Sequence, residues 1–136
     1  MRSTRARILI VEDSKADVYL IREAIERRGI NADISVLRDG YAATQYFDET
    51  EASESAPCPD LILLDLNLPK TSGFEVLKHL RATVRCKCAK VLIVSSSDAP
   101  TDRSAAQDLA VSSYFKKPST YAEFMKLGSL VERLLS

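Results

Sequence analysis

Apolar residues gather into five short runs along the chain: Ile8-Leu9-Ile10-Val11, Ile34-Ser35-Val36-Leu37, Leu61-Ile62-Leu63-Leu64, Val91-Leu92-Ile93-Val94 and Tyr114-Phe115. Their starts lie roughly 23–30 residues apart, about the length of one strand-plus-helix unit. The first, third and fourth runs are unbroken rather than alternating, as in strands covered by helices on both faces.

Helical spacing fills the gaps. Ser14 is placed to cap a first helix carrying Val18, Ile21, Ala24 and Ile25, with Gly29 as its stop. Ala43, Tyr46 and Phe47 mark a second helix. Phe74, Leu77 and Leu80 mark a third, after Pro69 and Gly73. A fourth, after Asp98 and Pro100, has only Ala105, Ala106 and Leu109 on its apolar side. The last opens on Thr120-Tyr121-Ala122-Glu123, a capping box, and carries Phe124, Leu127, Val131 and Leu134. Residues 48–60 are acidic, contain Pro57 and Pro59, and read as a surface loop. A strand-then-helix order repeated five times predicts a doubly wound α/β domain with a parallel sheet. Residues 1–6 read as a short tail and residues 7–136 as the domain.

Composition narrows the function classes. The 136 residues are 46% hydrophobic, enough for a core without disulfides or structural metal. Nineteen basic and nineteen acidic side chains give a net charge of zero, which disfavours nucleic acid or an anionic membrane as partner. No apolar run approaches the ~18 residues of a membrane span, and the run after the basic N-terminus is too short for a signal peptide. A cytoplasmic protein is expected. Cys58, Cys86 and Cys88 are odd in number and fit no disulfide framework, so they read as thiols. With His79 they also lack the fourth ligand of a zinc site. His79, the only histidine, falls on the third helix away from any strand end and reads as a solvated or partly packed side chain.

In open parallel sheets, ligands bind beyond the carboxyl ends of the strands. Strand one ends in Glu12-Asp13, strand three in Asp65-Leu66-Asn67, strand four in Ser95-Ser96-Ser97 and strand five in Lys116-Lys117-Pro118. Converging carboxylates repel one another unless a hard divalent cation sits among them. A lysine opposite supplies a point charge suited to a phosphoryl group. Carboxylate nucleophile, Mg²⁺, lysine and hydroxyl together describe phosphoryl transfer to an aspartate.

These residues resemble the receiver domains of two-component response regulators. The matching motifs are Ile10-Val11-Glu12-Asp13-Ser14, Leu63-Leu64-Asp65-Leu66-Asn67-Leu68-Pro69, Gly73-Phe74-Glu75-Val76-Leu77, Val94-Ser95 and Tyr114-Phe115-Lys116-Lys117-Pro118. The opening motif most resembles small stand-alone receivers of the chemotaxis and bacteriophytochrome-associated kinds. The resemblance implies a flavodoxin-like fold with strand order 2-1-3-4-5. It implies that Asp65 is the phosphoacceptor and that Glu12, Asp13, Asp65 and the Asn67 backbone carbonyl hold Mg²⁺. Glu12 stands where many receivers carry aspartate, and its longer arm reaches the metal directly or through water. Lys117, adjacent to Pro118, is the phosphoryl-contacting lysine, with Lys116 the competing candidate, and the Lys117–Pro118 bond is expected to be cis. Ser95 and Tyr114 take the switch positions, while Asn67 and Ser97 tune dephosphorylation.

The implied partners are a sensor histidine kinase, of the phytochrome type by the subgroup resemblance, and a downstream or phosphotransfer protein met through the helix 4–strand 5–helix 5 face. Some relatives form homodimers. The chain is expected to be no enzyme beyond slow self-dephosphorylation, and to signal through a partner rather than an attached output domain. Two departures stand out: Ser72 replaces a frequent aspartate before Gly73, and Ala110 replaces a glycine after helix 4, at a cost of about 1 kcal/mol if that residue is left-handed. Rival readings are a binding-only receiver, a Mg²⁺-dependent aspartyl-phosphate phosphatase, and a flavin or nucleotide module. The intact Asp65, Asp13 and Lys117 speak against the first. Asn67 in place of a second acid speaks against the second. Glu12-Asp13 in place of a Gly-rich phosphate loop speaks against the third.

Overall fold

A computed structural model describes residues 5–136. The strands are β1 (Ala6–Val11), β2 (Ala32–Leu37), β3 (Leu61–Leu64), β4 (Lys90–Ser95) and β5 (Ser113–Lys116). The helices are α1 (Lys15–Arg27), α2 (Gly40–Ala52), α3 (Gly73–Ala82), α4 (Pro100–Asp108), α5 (Tyr121–Met125) and α6 (Leu127–Leu135). All strand pairs are parallel and the order is β2-β1-β3-β4-β5, the flavodoxin-like arrangement. Of the residues read as an N-terminal tail, 1–4 lie outside the described residues and Ala6 already pairs with Ala32.

The unbroken strands bury both faces, as their pattern required. Ile8, Ile10, Leu61, Leu63, Leu92 and Val94 face α1, α5 and α6 through Ile21, Ile25, Phe124, Leu127 and Val131. Leu9, Val11, Ile62, Leu64, Val91 and Ile93 face α2, α3 and α4 through Phe47, Val76, Leu77, Leu80 and Ala106. Each face follows the period of two. The contribution of α4 is the smallest: Ala106 is its one buried residue. Few buried apolar contacts hold α4 in place, as in elements of low local stability.

Caps set the helix starts. Ser14, Asp39, Ser72 and Thr120 each accept a bond from the backbone N–H three residues on. Ser72 therefore keeps the capping role that an aspartate would have there. Gly29, at φ +76°, closes α1 in the left-handed region.

Three expectations need correction. Residues 48–60 are not all loop, because α2 continues to Ala52. The loop beyond it is tied down by Arg85, whose guanidinium donates to the carbonyls of Thr50, Ser53, Glu54 and Ala56. The last helix is interrupted at Lys126, whose N–H bonds Glu123 O, a tighter turn within an otherwise helical run.

The cysteines are not all free: Cys58 and Cys86 form a disulfide with Cα atoms 5.6 Å apart, leaving Cys88 as an exposed thiol. Because β3 and β4 are neighbours in the sheet, the loops entering them lie side by side. Cysteines 28 residues apart in sequence meet there. Sequence spacing alone carries no sign of that adjacency.

Candidate functional site

Glu12, Asp65 and Lys117 each sit one residue past a strand, and each extends the sheet ladder by one backbone bond. Glu12 N–H donates to Leu37 O at 3.0 Å, Asp65 N–H to Val11 O at 3.1 Å and Lys117 N–H to Ser95 O at 2.8 Å. The ladder thus fixes the main chain of three charged residues at one edge. Gly73, opening α3, permits the close approach behind Asp65: a Cβ there would lie 2.3 Å from Asp65 O.

The side chains converge. Glu12 is 1% exposed and Asp65 5% exposed, while Asp13 is exposed to solvent. One carboxylate oxygen from each of Glu12, Asp13 and Asp65 lies within 4.8 Å of the others. Lys117 Nζ faces them from β5, 2.8 Å from Glu12 Oε1 and 3.1 Å from Asp65 Oδ2. Lys116 is exposed, whereas the Lys117 ammonium lies among the carboxylates.

A fourth carboxylate joins that the sequence reading missed. Asp17, in the first turn of α1, places Oδ2 2.7 Å from Lys117 Nζ. Its signal lay in the Glu12-Asp13-Ser14 motif. A helix capped by Ser14 directly after a strand end projects its third residue over the same edge.

Buried charge sets the electrostatics. Burial pushes the Glu12 carboxyl up to about 7, with Asp65 adding repulsion. Its contacts with Lys117 and the Ser14 N–H only partly offset these effects. Burial alone would lower the Lys117 ammonium, but bonds to Asp17 and Glu12 and the charges of Glu12 and Asp65 outweigh it and raise it. Glu12 Oε2 accepts the Ser14 N–H at 3.1 Å. Oε1 is buried without a hydrogen-bond partner and meets Lys117 only as an ion-pair contact. A buried carboxylate oxygen held only by the Lys117 ion pair, beside two further carboxylates, makes a set of hard donors that could hold a divalent cation.

Of the remaining predicted residues, Asn67 touches this cluster, and Ser95, Ser97 and Tyr114 form a connected group of their own. Asn67, exposed, donates its backbone N–H to Asp65 Oδ1 at 3.2 Å. Ser95 is fully buried and its Oγ accepts the Ser97 N–H at 3.2 Å. Ser97 Oγ donates to Asp102, at the start of α4. Half-buried Tyr114 donates its hydroxyl to Ser97 O at 2.8 Å and lies under Arg103, whose guanidinium is 4.3 Å from the ring centre. His79 stands apart, half-buried on α3 and bonded to Asp48 Oδ1 of α2 at 2.7 Å. The Lys117–Pro118 bond is not cis, since no described peptide bond is. Trans is the lower-energy form by about 0.5–1 kcal/mol. In that form Lys117 already reaches Asp65 while its N–H stays in the ladder.

The model of the response regulator receiver domain matches residues 8–127. The chain belongs to the response regulator receiver family. Receiver domains act in two-component signalling, where histidine kinases phosphorylate them. This receiver domain is 37% identical over 125 residues to response regulator Rcp1 of Synechocystis sp., covering 92% of the chain and 85% of Rcp1. Among solved structures it is similar to the phosphorylated cyanobacterial phytochrome response regulator RcpA, with 34% identity and a TM-score of 0.88 over 98% of this chain and 96% of that one. It is also similar to the Mn²⁺-bound form of Rcp1, with 36% identity and a TM-score of 0.83 over 93% and 91%. Among the described residues of the receiver domain no helix is long and apolar enough to cross a membrane.

Proposed function

We propose that this receiver is a phosphorylation switch in which Asp65 takes a phosphoryl group from the phosphohistidine of a sensor kinase. One observation carries the reading: Asp65 is buried at the sheet edge with Lys117 Nζ at 3.1 Å and with carboxylate oxygens of Glu12 and Asp13 within 4.8 Å. A carboxylate oxygen of Asp65 forms the new O–P bond while the P–N bond breaks and the imidazole leaves. Glu12, Asp13, Asp65 and the Asn67 carbonyl would hold Mg²⁺, which would supply positive charge to offset the carboxylates and the phosphoryl oxygens. Lys117 and the Ser95 hydroxyl bind those oxygens. Asn67 and Ser97 shape the approach of the water that later removes the group.

The output follows from Ser95. Its hydroxyl is bound to the Ser97 N–H, and Ser97 in turn holds Tyr114 and Asp102. Drawing Ser95 towards a phosphoryl group releases that connection and lets Tyr114 turn inward. The surface of α4, β5 and α5–α6 changes with it. The chain acts on no separate substrate. It belongs in the cytoplasm, where kinase phosphohistidines are presented. The similarity to RcpA and Rcp1 supports a phytochrome-type kinase as donor, and a downstream or phosphotransfer protein reads the changed face.

Incubation with Mg²⁺ and acetyl phosphate tests this directly. Wild-type protein is expected to gain an acid-stable, base-labile phosphoryl group, and beryllofluoride to shift resonances of Ser95 and Tyr114. Asp65→Asn abolishes labelling, while Lys117→Ala retains the metal and loses the shift at Tyr114. A folded wild-type protein that shows neither labelling nor shifts overturns the reading.

A further inference from the structure

Lys117 carries three carboxylate contacts, and two of those partners have a second duty. Glu12 and Asp65 belong, with Asp13, to the cluster suited to a divalent cation. Asp17 does not. Its contact with the ammonium, at 2.7 Å, is the shortest of the three. The helix cap uses the Asp17 backbone N–H, bonded to Ser14 Oγ at 3.2 Å, and leaves the carboxylate to Lys117. The two residues are 100 positions apart, so the pair bridges α1 to the end of β5.

We propose that Asp17 is a positioning residue for phosphoryl transfer. It anchors the Lys117 ammonium from the α1 side, so that the lysine stays beside Asp65 when Glu12 and Asp65 turn to a metal. The proposal rests on the phosphoacceptor reading above. Lys117 is 10% exposed, so its charge is poorly screened and needs an opposite charge at all times. A divalent cation beside it takes over the charge of two of its partners and repels the ammonium itself. Asp17 is the carboxylate left to balance it. A lysine stem is flexible, and a single fixed contact at its tip decides where the charge points.

A double-mutant cycle tests this. At saturating Mg²⁺, Asp17→Ala is expected to slow labelling by acetyl phosphate roughly tenfold, and Asp17→Glu to recover most of the rate. In a Lys117→Met background the same Asp17→Ala change is expected to leave the residual rate unaltered, because the two residues act as one unit. In the metal-free protein the Lys117 ammonium resonance, slow to exchange in wild type, is expected to vanish in Asp17→Ala. Thermal unfolding checks that each variant folds, and Asp17→Asn, which keeps shape and removes charge, replaces Asp17→Ala if the latter does not. A wild-type rate in the folded Asp17 variant, an equal slowing with and without Lys117, or an unchanged ammonium resonance overturns the proposal. Absence of labelling in wild type instead overturns the phosphoacceptor reading beneath it.

Discussion

The Tyr114 hydroxyl donates to the Ser97 carbonyl, and the Ser97 N–H donates to the Ser95 hydroxyl. Ser97 therefore links the buried Ser95 hydroxyl at the end of β4 to the half-buried Tyr114 ring on β5. The link belongs to the unphosphorylated arrangement if Ser95 is drawn away on phosphorylation. Tyr114→Phe should cost about 1 kcal/mol of stability without activator, the value of one partly buried hydrogen bond. With Mg²⁺ and beryllofluoride that cost should disappear. Denaturant titrations under both conditions check it; an equal cost in both would mean that the Tyr114–Ser97 bond survives activation.

The disulfide makes a prediction independent of signalling. Cys58 and Cys86 close a loop of 28 residues, for which chain entropy gives about 3–4 kcal/mol of stabilisation. Dithiothreitol or Cys58→Ser should lower the unfolding free energy by that order. The 53–57 loop should keep its place, since Arg85 holds it through backbone carbonyls whatever the redox state. Urea unfolding with and without reductant measures the first, and amide exchange in the loop the second.

Residues that state their own environment were readable in advance. Unbroken runs such as Leu61-Ile62-Leu63-Leu64 gave their burial on both faces, and Ser14 and Thr120 gave the helix starts. Asp65 and Lys117 were readable because each directly follows a strand and the sheet's carboxyl edge is where ligands bind. What was hidden depends on contacts between distant segments. The Cys58–Cys86 pair exists because β3 and β4 are neighbours, and the Asp17–Lys117 pair because the first turn of α1 and the Lys117 side chain meet at the carboxyl edge of the sheet. The extension of α2 to Ala52 was hidden for another reason: its last turn is acidic and polar, and it is held by tertiary bonds that the Val84 and Arg85 N–H groups donate to the Glu51 carboxylate.

Ala110 tests the cost of a side chain in the left-handed region. Its φ is +60°, and its carbonyl accepts a bond from Arg81, which also holds Leu109 O at the end of α4. Ala110→Gly keeps that carbonyl and removes the Cβ clash. The variant should be more stable by up to about 1 kcal/mol, the left-handed penalty less the added freedom of the unfolded glycine. A loss of stability would show that the methyl group packs usefully at the end of α4.

Glu12 should make metal binding pH-dependent near neutrality. Burial and the Asp65 charge raise its carboxyl to about 7 in the metal-free site, above its ordinary value of 4.5. Below pH 7 the group holds a proton that must leave before the oxygen can ligate. Divalent-cation affinity should therefore fall up to about tenfold per pH unit below 7 and level off above it. The same shift bears on folding. Between the unfolded value and 7 the folded state binds one more proton than the unfolded chain, so Glu12's contribution to stability is present at low pH and is lost as pH rises through that window. Lys117, raised from its ordinary value, stays charged throughout it and contributes no slope. Glu12→Gln should abolish both effects, removing the pH dependence of cation affinity along with the extra loss of metal-free stability. Calorimetric titrations with Mg²⁺ and thermal unfolding in chelator, each at pH 5.5 and 8, give the comparison. A wild-type affinity that does not change between the two pH values would show that Glu12 is already ionised in the metal-free pocket.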